Sequence, residues 1–85
     1  MKVKLVGLMP LDFPSKDGSQ IKGINLYCNF ADDRVIGEKS DSKFISQSLC
    51  DQLGVSVKSL ESLIGHELQL DVNFKGKVTD IFEVS

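Results

Sequence analysis

Apolar residues recur at every second position along most of this chain, and the rhythm changes to threes and fours only between Ser48 and Gly65. Period two belongs to a half-buried strand and period three to four to a helix, so the chain has to build a sheet interrupted by one short helical passage. The first run carries Val3, Leu5, Met9, Leu11 and Phe13 on one expected side, with Lys2 and Lys4 between the earliest of them. Val6 and Leu8 depart from strict alternation, and Gly7 and Pro10 predict a bulge or bend at that place.

Ser15, Lys16, Asp17 and Gly18 then supply a turn, and a second strand is expected from about Gln20 to Phe30. On it Lys22, Ile24, Leu26, Cys28 and Phe30 share one side, while Ile21, Gly23, Asn25, Tyr27 and Asn29 share the other. The first set is the expected core side, which sends Tyr27 outward. "ADDRVIGEKSD" is polar and contains glycine, as a hairpin tip does, and it leads into a third strand at "SKFISQSL".

In "SLCDQLG", Ser48 and Asp51 have capping-box spacing, Leu49 and Leu53 lie four apart, and Gly54 is placed to stop a short helix. "SVKSLESLIG" repeats the style with Leu60, Leu63 and Ile64, ending at Gly65. "HELQLDVNF" alternates cleanly, with Leu68, Leu70, Val72 and Phe74 inward, and "NFKGKV" turns into the last strand, "VTDIFEV". The expected fold is mainly β: a five-stranded antiparallel, OB-fold-like barrel over residues 1–85, with a short helix between strands three and four. An SH3-like barrel uses the same strand count, and periodicity alone leaves that choice open.

With 85 residues there is material for one thin core, which association between copies would help to stabilise. Cys28 and Cys50 lack CxxC spacing and no leader-like segment opens the chain, so both are expected as free thiols in a cytoplasmic protein. No enzyme is expected. The single histidine, His66, has no nucleophile at a recognisable spacing, and one histidine with two separated cysteines falls short of a zinc set. Asp32 and Asp33 fit a solvated turn better than a metal site, and no glycine-rich phosphate cradle is present, so no cofactor or metal is expected.

What remains is an aromatic and cationic pattern. Bases stack on aromatic rings while neighbouring cations neutralise phosphates, so strands that set Tyr or Phe among lysines make a minimal platform for a single strand. Lys16, Lys22, Tyr27, Arg34, Lys39 and Lys43 are the candidate nucleic-acid-binding residues. Phe13 and Phe44 also belong to the pattern, although phenylalanine on a strand is expected to pack inward. The net charge of -2 runs against binding by bulk charge and keeps a second class open, a protein-interaction or regulatory module with an acidic surface and no nucleic-acid binding.

The stretches "SKDGSQIKGINLYCNF", "KFISQSL" and "LIGHELQLDVNFKGKVTDIFEV" resemble small OB-fold proteins of phages and of conjugative or plasmid elements. In length and strand layout the chain is also similar to gene V-type single-strand DNA-binding proteins. The resemblance implies a homodimer that binds single-stranded DNA in replication or transfer of a mobile element, alongside a replication or transfer protein. It also implies that Tyr27 stacks on bases, with Lys16 and Lys22 as cations of the first hairpin and Arg34 and Lys39 as those of the loop. The acidic balance and the helix-rich "SLCDQLGVSVKSLESLIG" depart from that pattern.

Overall fold

In a computed structural model, which describes residues 1–84, five antiparallel strands form one sheet in the order β3-β2-β1-β4-β5. The strands are β1 (Lys2–Pro14), β2 (Gln20–Ala31), β3 (Glu38–Ser46), β4 (Glu67–Val72) and β5 (Val78–Glu83). Two short helices, α1 (Gln47–Leu53) and α2 (Val57–Glu61), occupy the passage between β3 and β4. The protein is thus mainly β, with its helical residues where the spacing predicts them. Among the described residues no ladder joins β3 to β5, so the sheet stays open. No described helix is long and apolar enough to cross a membrane.

The inner face of the sheet carries the core. Val3 and Leu5 from β1, Ile24, Leu26 and Cys28 from β2, and Ile45 from β3 are buried with Leu68, Leu70, Val78 and Ile81 from the other two strands. Cys50 of α1 and Leu60 of α2 close this layer from above, with Leu8, Phe30, Leu49, Leu53, Val55 and Leu63 packed around it. Each buried aliphatic side chain contributes roughly 1.5–3 kcal/mol, and among the described residues the core holds no buried polar side chain to offset that gain.

Helix α1 begins where β3 ends. Its cap is Ser46, whose Oγ accepts from the Leu49 N–H at 3.2 Å, rather than Ser48, which lies inside the first turn. Gly54, at φ 69°, ends the helix in the left-handed conformation that glycine adopts without a Cβ clash. The capping box belongs to α2: Ser56 Oγ accepts from the Ser59 N–H and Ser59 Oγ accepts from the Ser56 N–H.

The bulge expected in β1 is present between Leu5 and Gly7, and it divides the strand. Before it, Val3 and Leu5 point into the core; after it the phase shifts by one residue, so Met9, Leu11 and Phe13 come to the outer face and are not core residues. β1 also outruns its neighbours. Its ladder with β4 covers only Lys2 to Lys4, and the β2–β3 ladder starts at Gly23 opposite Ser46. Residues 11–22 therefore pair only with each other and form a two-stranded arm beyond the sheet.

Candidate nucleic-acid interface

The outer face of β2 and β3 is built from small neutral residues around two aromatic rings. Cross-strand register places Tyr27 opposite Ser42 and Asn25 opposite Phe44, so the two residues are diagonal neighbours on this face. Both stand clear of the core, Tyr27 with 38% and Phe44 with 43% of its surface exposed. Phe44 thus contradicts the expected inward packing, and so do Phe13 at 44% and, past the register shift between Asp71 and Val72, Val72 and the almost wholly exposed Phe74.

A glycine lies beneath each ring. A Cβ on Gly23 would fall 2.7 Å from Phe44 Cζ and against the Ile45 carbonyl oxygen, so glycine leaves room for the phenyl ring over this point of the sheet. Over Gly7 the fit is looser, with Tyr27 Cδ2 3.8 Å from the equivalent position. Tyr27 Oη points to Met9 Sδ at 3.9 Å, and Ser40 Oγ donates to Asn29 Oδ1 at 2.8 Å beside it. Shallow relief of about 450 Å³ runs along this face past Val6, Tyr27, Asn29, Ser40 and Ser42, with one carboxylate, Asp41, in its lining.

Phe44 also borders a second hollow of about 320 Å³, where β3 comes close to the start of β5 across α1. Lys43, Phe44, Leu49, Lys77 and Val78 line it, and no carboxylate does. The β4–β5 turn presents its lysines because Asn73 organises it: Asn73 Oδ1 accepts from the N–H groups of Lys75 at 2.9 Å and Lys77 at 3.0 Å. Among the described residues Lys43, Lys75 and Lys77 make no ion pair. Lys75 and Lys77 were not among the sequence candidates, because no local spacing reveals that this turn comes to lie beside β3.

The six sequence candidates do not converge. Tyr27 lies on the outer face, whereas Lys43 stands on the inner row of β3 opposite Leu26 and borders the second hollow at the seam. Lys16 sits at the tip of the arm, and Lys22 lies on the arm's inner face opposite Asp12. Arg34 and Lys39 are at the other end of β2, about 35–40 Å from Lys16 at some 3.3 Å per residue. There they are held by an acid: Asp32 lies 3.2 Å from Arg34 Nη2 and 4.0 Å from Lys39 Nζ. The Arg34 side-chain and backbone donors, with Lys39 nearby, hold the Asp32 carboxyl below its ordinary range.

Asp17 is likewise held far below the usual carboxylate range by the hydroxyls of Ser15 and Ser19 and the Ser19 N–H, which fixes the arm's turn. Burial raises both thiols, Cys28 with help from Asp41 and Cys50 from Asp51, so each is a neutral thiol packed in the core. His66 Nδ1 lies 2.9 Å from Glu83 Oε2 and ties the entry of β4 to the end of β5. No group of three or more His, Cys, Asp or Glu among the described residues is arranged to hold a metal ion. No protein family, curated protein or solved structure was found to match this chain.

Proposed function

We propose that the chain binds single-stranded DNA on the outer face of β2 and β3, as a non-enzymatic factor in the replication or transfer of a phage or other mobile element. The observation that carries this reading is the exposed Tyr27–Phe44 pair beside the carboxylate-free hollow lined by Lys43 and Lys77. Each ring offers a stacking surface worth about 1–3 kcal/mol per base, and the lysines supply the separate, salt-sensitive attraction to phosphates. Because Lys43 and Lys77 share one hollow with no carboxylate in its lining, a net charge of -2 does not by itself oppose binding there.

The fold beneath this reading is a partly open OB-type barrel. Its support is the strand order with β1 at the centre between β2 and β4, helices between β3 and β4, and the close approach of β3 and β5. An up-and-down meander closed on itself would instead set β5 beside β1. In an OB-type barrel the β2–β3 face and the β4–β5 turn are where oligonucleotides lie, and that is where Tyr27, Phe44, Lys75 and Lys77 stand.

The test is fluorescence anisotropy with a labelled single-stranded oligonucleotide and a duplex of the same sequence, titrated with salt. Lys43→Ala or Lys77→Ala should weaken binding to every sequence and flatten the salt slope by about 0.7 for each phosphate left without its cation. Absence of single-strand binding at low salt would hand the molecule to the second reading, a protein-interaction module, which is favoured by the neutralisation of Arg34 and Lys39 on Asp32.

A further inference from the structure

We infer that Phe74, at the tip of the β4–β5 turn, inserts between two successive bases of the bound strand, so that the turn clamps the strand where it leaves Phe44. The inference rests on the single-strand reading above and adds to it a residue and a mode of contact that the outer face lacks.

Exposure sets Phe74 apart from the other two rings. Tyr27 and Phe44 are each more than half covered, at 38% and 43% exposure, so each has at most one face open to a base. Phe74 is 96% exposed, and both faces of its ring are open. A ring of that kind can act as a wedge: it enters between two bases and stacks on both, where a ring against the sheet stacks on one.

A lone exposed apolar side chain is ordinary on a protein surface, and what distinguishes this one is the turn that carries it. The Asn73 N–H donates to the Lys77 carbonyl at 2.9 Å, the Gly76 N–H donates to the Asn73 carbonyl at 2.9 Å, and Asn73 Oδ1 accepts from the N–H groups of Lys75 and Lys77. The backbone on both sides of Phe74 is therefore fixed before anything binds, and little order has to be gained when the ring engages.

Charge selects the occupant. Residues 73–77 hold two lysines and no carboxylate, and among the described residues neither lysine makes an ion pair. The nearest acids of this hairpin, Asp71 and Asp80, stand opposite each other further down its strands, which confines an anionic ligand to the tip. Gly76 and Lys77 line the hollow that Phe44 borders, so a strand resting on Phe44 meets the turn with its phosphates near Lys43 and Lys77. The β2–β3 tip is the internal contrast. Ile36 stands as free there as Phe74 does, but Asp32 holds Arg34 and Lys39, and Ile36 has no ring. An apolar pocket on a protein would suit either tip; bases joined by phosphates suit only that of Phe74.

The test uses the full chain and a single-stranded oligonucleotide of about 8 nucleotides. Phe74→Ala should weaken binding about 10- to 100-fold with the salt slope unchanged. The chain has no tryptophan, so Phe74→Trp and Ile36→Trp each place one fluorophore at one tip. Acrylamide should quench both when free. With the oligonucleotide bound, Phe74→Trp should become almost inaccessible, the mark of a ring covered on both faces, and Ile36→Trp should be quenched as before. Wild-type affinity in Phe74→Ala, continued quenching of Phe74→Trp in the complex, or equal protection at the two tips would overturn this inference and leave the Tyr27–Phe44 reading standing. A wild-type chain that binds no single strand at low salt would overturn that reading and the inference with it.

Discussion

The root and the arm of the β1–β2 hairpin are continuous in sequence and opposite in polarity. At the root, Leu5, Leu8, Ile24 and Leu26 turn inward beneath the helices, while Asn25, Asn29, Ser40 and Ser42 face out around two aromatic rings. In the arm the apolar residues Leu11, Phe13 and Ile21 face out, and Asp12, Gln20 and Lys22 face in. Alternation establishes that a strand has two kinds of face. Which face is apolar at a given point depends on what covers it, and the core stops where β3 and β4 stop.

The largest expected contrast is therefore in stability. Leu26→Ala removes a fully buried side chain at the root and should cost about 2–5 kcal/mol. Leu11→Ala in the arm, half-buried at most, should cost under about 1 kcal/mol at concentrations where the chain is monomeric. Urea unfolding of both variants checks this, and similar losses would mean that the arm packs as part of the core.

A second contrast lies between the two glycines under the rings. Gly23→Ala forces a Cβ against the Ile45 carbonyl oxygen and the Phe44 ring, and it should destabilise by about 1–3 kcal/mol. Gly7→Ala meets only ordinary van der Waals neighbours at 3.8 Å and should stay within about 0.5 kcal/mol of wild type. Because the Gly23 variant also lifts the Phe44 ring, it should lose single-strand affinity as well as stability. Equal stability of the two variants would show that Phe44 does not rest on Gly23.

Much of the root is legible in the sequence. The alternation of β2 correctly assigns Ile24, Leu26 and Cys28 to the core and Tyr27 to the outside, and Gly7 with Pro10 marks the bulge. The bulge's effect is not legible: a one-residue slip reverses every later side chain, so Met9, Leu11 and Phe13 leave the expected inner row. Phe44 fits either face of β3 by propensity, and only the glycine opposite it in register frees the outer one. Lys77 reaches Lys43 through the return of β5 past β3, a proximity that follows from sheet order and not from any local spacing.

A smaller effect concerns the far end of the root. Asp32 titrates below its ordinary range when folded, so its contribution is complete at neutral pH and is lost as pH falls through that depressed value. The Arg34 amide, which donates to Asp32 Oδ1 at 2.9 Å, should report this in an NMR titration with a midpoint below about 3.9. Asp32→Asn should abolish that transition and, by releasing Arg34 and Lys39, tighten single-strand binding slightly at low salt. A midpoint at the ordinary carboxylate value would show that the Asp32–Arg34 pair does not persist in solution.

The most direct test sets one ring of the root against one ring of the arm. Binding of Tyr27→Ala and Phe13→Ala is measured against a single-stranded oligonucleotide of about 8 nucleotides, short enough to occupy one chain so that pairing of copies adds no avidity. Tyr27→Ala should lose about 1–3 kcal/mol of affinity with its salt slope unchanged, and Phe13→Ala should bind as wild type does. Equal losses from the two variants, or a loss confined to Phe13→Ala, would contradict the assignment of the single strand to the outer face of β2 and β3.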